Sequence, residues 1–161
     1  MTEETPAGRG AVPMLSSSDV SATAAFLCDA FGFRERRESR HTEPDGRVSH
    51  AEIERGEALV MLGLPSPYYR APRAHAAECP AAAAWLANAN VVDGVLVYVA
   101  DVDAHCEHAR AHGAEILRGP EDAPYGRLYT AADRDGHRWM FMAPSGSGGD
   151  AGTRVGTLAP R

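Results

Sequence analysis

One order of elements occurs twice along this 161-residue chain. Repetition of that kind constrains the fold more tightly than any single motif. The first copy opens with a short apolar run, Val12 to Ser16, which reads as a strand. Asp19 can cap a helix, because its carboxylate accepts free backbone N–H groups of the first turn. Ala22, Ala25, Phe26 and Ala30 then recur at helical spacing, and Gly32 suits the left-handed residue that ends a helix. Phe33 to His41 reads as a charged strand. Pro44-Asp45-Gly46 marks a turn, and Val48 to Glu54 and Ala58 to Gly63 read as strands joined tightly at Arg55-Gly56. The order is βαβββ.

After a proline-punctuated connection over 64–92, with an Ala-rich helix through Trp85 and Leu86, the order returns. Val95 to Val99 is an apolar strand. A helix starts at Asp101 or Asp103 and ends at Gly113. Ala114 to Arg118 is a strand that Gly119-Pro120 breaks. Arg127 to Ala132 and His137 to Met142 flank the turn Asp133-Arg134-Asp135-Gly136. The expected organisation is a disordered 1–9, one domain over 10–143 (module one 10–63, module two 93–143) and a flexible tail over 144–161. Helices combined with β-hairpins indicate an α+β fold and not a doubly wound parallel sheet.

Composition excludes several classes of function. The net charge is −6 and the sequence has no lysine, so the clustered cations of a nucleic-acid binder are missing. No apolar run approaches the roughly 20 residues of a membrane span. The polar, acidic N-terminus does not read as a signal peptide. Three cysteines, Cys28, Cys79 and Cys106, without CxxC spacing suit reduced thiols in the cytoplasm.

The chain resembles the vicinal oxygen chelate superfamily, which includes glyoxalase I, bleomycin-resistance proteins and extradiol dioxygenases. In module one the resemblance rests on Ser18-Asp19-Val20 through Phe31-Gly32-Phe33, then His50-Ala51-Glu52-Ile53 and Val60-Met61-Leu62. Module two matches more clearly, in Tyr98 through His105, His112 to Ile116, Tyr125-Gly126-Arg127 and Asp133 through Trp139. The resemblance implies two βαβββ modules forming a curved, half-open barrel around a shared cavity. It also implies pairing into a homodimer. Metal-using members place one ligand on the first and last strand of each module. Counted from the aspartate landmarks, those positions are Val12, Met61, Val95 and Met140. Divalent metals want imidazole, carboxylate or thiolate, so neither a metal nor any other cofactor is expected.

Strand alternation then predicts what faces the cavity. If Met140 points inward, so do Arg138 and Met142, while Trp139 and Phe141 pack against the helices. The same count turns Arg127 and Tyr129 inward. A tight hairpin would pair Met61 with His50 and Leu59 with Glu52, bringing both polar residues to the cavity. The predicted ligand-binding set is Val12, Met61, Val95, Arg127, Tyr129, Arg138, Met140 and Met142. His50 and Glu52 form either a partly solvated strand face or a catalytic pair. His105, His108 and His112 read as a solvated helix face.

Three functions follow. One is a binder that sequesters a hydrophobic or aromatic metabolite or antibiotic without a metal. Another is a metal-independent lyase or isomerase, with Glu52 as a base whose pKa burial raises, His50 assisting and Arg138 or Tyr129 stabilising an oxyanion. The third is an interaction protein with an unused cavity. In each the partners exclude nucleic acid and membrane.

Overall fold

The computed structural model describes residues 11–90 and 93–145. The disorder expected for 1–9 lies outside the described residues, as does all but Pro144 and Ser145 of the flexible tail expected over 144–161. Module one comprises β1 (Met14–Ser16), α1 (Val20–Phe31), β2 (Arg34–Thr42), β3 (Val48–Arg55) and β4 (Ala58–Gly63). The connection carries two short helices, α2 (Pro72–Ala76) and α3 (Pro80–Leu86). Module two comprises β5 (Val95–Tyr98), α4 (Val102–Ala111), β6 (Glu115–Ala123), β7 (Gly126–Ala132) and β8 (Arg138–Pro144). The fold is α+β, with two βαβββ modules arranged as a curved, half-open barrel.

Each module forms a four-stranded sheet, ordered β1-β4-β3-β2 and β5-β8-β7-β6. The first and last strands of each module lie side by side and parallel, as Met14 with Met61 and Leu96 with Met140. Both main helices are capped as their sequences dictate. Asp19 accepts from the Ala22 N–H at 2.9 Å and Asp101 from the Ala104 N–H at 2.9 Å. Gly32 ends α1 at φ 70°, a conformation that costs glycine nothing.

Gly119-Pro120 does not end β6, contrary to expectation. The strand continues to Ala123 because its pairing with β7 shifts register between Arg118 and Glu121, with Gly119 at φ 81° taking up the irregularity.

The helices cover one face of each sheet and pack against one another. His105 and His108 of α4 reach the carbonyls that close α1, Nε2 of each lying 3.2 Å from Phe31 O and 2.8 Å from Asp29 O. One buried cluster therefore spans both modules and includes Leu27, Phe31, Ile53, Leu62, Cys106, Tyr129, Trp139 and Phe141. Phe31 of module one packs on Trp139 and Phe141 of module two, with ring centroids 5.5 and 4.8 Å apart. Beneath them the buried Asp133 accepts from the Asp135 and His137 backbone N–H groups, from His137 Nδ1 and from Trp139 Nε1. Among the described residues no helix is long and apolar enough to cross a membrane.

Trp139 is fully buried and its indole N–H is one of the Asp133 donors. Trp139→Ala should cost roughly 3–5 kcal/mol in urea denaturation. A loss below about 1 kcal/mol, as expected of a surface change, would show that this wedge does not carry the core.

Candidate functional site

The face of each sheet turned away from the helices is the candidate site, and cross-strand register defines its lining. Residues directly opposite one another share a face. In module one the row across the sheet is Arg36, Glu52, Met61, Met14; in module two it is Arg118, Thr130, Met140, Leu96. The rows correspond strand for strand. Met14 is 78% and Leu96 45% exposed, and Tyr98, two residues further along β5, is 61% exposed. Large apolar side chains thus stand open to solvent on the concave face.

The first and last strands of the modules present Met14 and Met61, and Leu96 and Met140, at the β1 and β5 ends of these rows. One thioether more than expected does not alter the chemistry: none of the four supplies imidazole, carboxylate or thiolate. The set does not fit a zinc, nickel or iron(II) centre. Among the described residues no three His, Cys, Asp or Glu side chains come together to hold a metal ion.

Several predicted residues lie where the sequence placed them. Met61, Met140, Met142 and Arg138 are on the concave face, with Val12 sharing the parity of Met14 just before β1. His50 and Glu52 are there too, although the hairpin is set two residues away from the expected pairing. Glu52 lies opposite Met61, and His50 opposite Gly63. A shift of two preserves the face. Glu52 is not an isolated carboxylate in an apolar pocket, however. Arg36 Nη1 donates to it at 2.7 Å, and His50 Nε2 stands 3.9 Å away.

Three predicted residues turn the other way. Tyr129 pairs with Phe141 and Arg127 with Ala143, so both lie on the helix side. The odd-numbered residues of β7 sit opposite the odd-numbered residues of β8, a register that alternation along one strand cannot reveal. Tyr129 is fully buried and stacks on Phe141 at 5.0 Å. Arg127 clamps α4 to the sheet, donating to both carboxylate oxygens of Asp103 at 2.6 and 2.8 Å and to Asp122 at 3.0 Å. Val95 lies opposite Trp139 and packs on the core, leaving the concave face to Leu96. Val12 is seven residues before Asp19, and the same step back from Asp101 reaches Gly94, two residues before Leu96.

Beside the Leu96–Met140 pair lies an inner chamber of about 60 Å³, lined by Gly94, Leu96, Thr130, Arg138 and Met140 among others. It shares Asp93, Gly94, Val95 and Arg138 with an outer cleft of about 330 Å³. That cleft runs between β1 and β5, bordered by Met14 on one side and by Tyr69, Pro72 and Trp85 of the connection. Gly94 is the closest approach there, since a Cβ would stand 2.4 Å from the Arg138 carbonyl oxygen. Thr130, Leu96, Tyr69 and Trp85 were not predicted. Leu96 and Thr130 follow from register, whereas Tyr69 and Trp85 enter only because the connection folds over module two.

A family model for the glyoxalase/bleomycin resistance protein/dioxygenase superfamily matches residues 11–141. The chain belongs to this superfamily. Solved structures with this fold include TioX from Micromonospora sp. ML1, 28% identical, with the match covering 90% of this chain and 100% of that one at a TM-score of 0.59. TnmS3, an antibiotic binding protein from Streptomyces sp. CB03234, is 19% identical over 88% of this chain and 100% of its own, at a TM-score of 0.60. A bleomycin-binding protein from Streptomyces verticillus, complexed with copper(II)-bleomycin, is 21% identical over 86% and 98%, at 0.52. A comparison with curated proteins found no significant match.

Of the helix histidines expected on a solvated face, His108 and His112 are exposed and His105 is the exception. His105 is half-buried behind the sheet. Its Nε2–H donates to the Phe31 carbonyl, so Nδ1 accepts from the Tyr129 hydroxyl at 2.7 Å. Burial pushes the His105 pKa down and the Tyr129 pKa up, keeping both neutral. A histidine with a depressed folded pKa binds fewer protons folded than unfolded. Its contribution is complete above the ordinary value near 6.5 and is lost as pH falls from there toward the depressed folded value. The melting temperature should therefore drop between pH 7 and pH 5, and His105→Gln should flatten that part of the profile. An unchanged slope in the variant would show that His105 does not supply it.

Proposed function

We propose that this protein binds and sequesters a hydrophobic or aromatic small molecule, an antibiotic or a metabolite, in the cleft between its modules, without using a metal. The observation that carries this reading is the pair of rows on the concave face. Met14 and Met61 form the β1 end of one row and Leu96 and Met140 the β5 end of the other, and Met14, Leu96 and Tyr98 stand exposed. Large apolar side chains left in water on a concave surface mark a binding face. Methionine suits it because its unbranched, polarizable chain adapts to an irregular ligand. The antibiotic-binding and bleomycin-binding relatives support the same assignment.

The acid–base alternative has less support. A general base needs a carboxylate free to reach a ligand proton, and that of Glu52 is already engaged by Arg36 Nη1, which donates to it at 2.7 Å. No comparable observation favours an interaction protein with an unused cavity. The cytoplasm is the proposed location, supported by three free cysteines. The proposed homodimer would cover open sheet edges and part of the exposed apolar face. Light scattering at micromolar concentration should give twice the chain mass, and a monomer mass would reject the dimer.

A thermal-shift screen with aromatic polyketide and peptide antibiotics tests the binding reading. A ligand at about 100 times its Kd stabilises the native state by roughly 2.7 kcal/mol. The shift should be unaffected by a chelator and should be lost in Met140→Glu, which puts a charge into the central row. Mass spectrometry should recover the ligand unchanged. A chemically altered ligand would favour the enzyme reading, and a chelator-sensitive shift would reject metal-free binding.

A further inference from the structure

We propose that the ligand is an organic anion, a planar aromatic acid whose carboxylate sits in the inner chamber against Arg138 and Thr130 while its ring lies in the outer cleft against Trp85. This rests on the small-molecule reading above and adds the chemical class.

Arg138 is the first residue of β8, on the concave face, and only 5% of it is exposed. Its Nη2 donates to the carbonyls of Trp85 and Leu86 at 3.2 and 2.7 Å, at the C-terminal end of α3. The guanidinium carbon stands 5.3 Å from the centre of the Trp85 ring. These contacts hold the connection over module two, and carbonyls at a helix end offset part of a cation's desolvation. They use only one of the three nitrogens. Nε and Nη1 are buried and have no hydrogen-bond partner among the described residues. Among the described residues no carboxylate forms an ion pair with Arg138, and Asp93, at the rim of both spaces, is exposed. A buried guanidinium with free donors and no counter-charge is the complement of an anion.

Thr130 supplies an independent second donor. It is 6% exposed, lines the same chamber, and its hydroxyl has no partner among the described residues. It lies on β7 opposite Met140, two residues from Arg138 along β8. Two nine-tenths-buried polar groups without partners thus meet at one small chamber with apolar walls. About 60 Å³ is room for a carboxylate, given that roughly 10–15 Å³ suffices for one water. It is too small for a ring. The outer cleft of about 330 Å³ reaches the range of roughly 300–1,000 Å³ typical of ligand sites, and Trp85 and Tyr69 give it flat aromatic borders. The net charge of −6 does not favour an anion at long range. It is screened beyond about 8 Å at physiological salt, so direct contact with Arg138 decides.

The test is calorimetric titration of the full chain with 2-naphthoate and 2-naphthamide, which share a ring system and differ in charge. The wild-type protein should bind the acid at least about tenfold more tightly than the amide, the advantage of a charge-assisted hydrogen bond. Arg138→Gln should abolish that advantage. Thr130→Val keeps the pin between Arg138 and α3 and should reduce acid binding without affecting the amide, so it decides the matter should Arg138→Gln fail to fold. Equal binding of acid and amide would overturn the anion assignment and leave the small-molecule reading standing. An acid preference that survives in Thr130→Val and in folded Arg138→Gln, or no binding of either probe at millimolar concentration, would also overturn it.

Discussion

The packing of Phe31 against Trp139 and Phe141 is the contact on which the two modules depend. A helix from the first module is wedged onto the last strand of the second, and Tyr129 and His105 extend the same aromatic stack. The wedge is held from below by Asp133, whose carboxylate takes the indole N–H of Trp139 and the backbone of the preceding turn. Burying a carboxylate is costly unless its lone pairs are satisfied. Here four donors satisfy it, and the turn that it organises sets where β8 begins.

That commitment determines the character of the site. Once Trp139 and Phe141 are assigned to the core, alternation leaves Arg138, Met140 and Met142 on the opposite face. The methionines therefore line the cleft as a consequence of the packing behind them. The same alternation explains why the cleft lacks a metal-binding donor set. Met14, Met61, Leu96 and Met140, on the first and last strands of the two modules, share the concave face, and they are thioether or hydrocarbon. Arg138, the one cation on that stretch of β8, is pinned to α3 through a single nitrogen, which leaves its other donors buried without a partner among the described residues.

Much of this was legible in the sequence. The repeated βαβββ order, the capping aspartates Asp19 and Asp101 and the core role of Trp139 follow from local chemistry and period alone. So does the concave placement of Met61, Glu52 and Arg138, since a register error of two residues leaves the face unchanged. Counting along single strands places Arg127 and Tyr129, whereas their faces depend on which residue stands opposite in a neighbouring strand, and the landmark count that yields Val95 is one residue out of step with the count that yields Val12. A slip of one residue then inverts the side chain. His105 was misread for a related reason. On its own helix it borders the apolar stripe, and only the approach of α1 supplies the Phe31 carbonyl that buries it.

By itself the sequence determined the element order, the capped helix starts and the family, because each is a property of residue type and local spacing. The tertiary structure alone decided how β7 registers on β8, that the connection folds back over module two, and that Arg138 and Thr130 meet at one chamber. Those outcomes join residues far apart in the chain. They depend on the competition among strands and helices for the same buried surface, which no local pattern encodes.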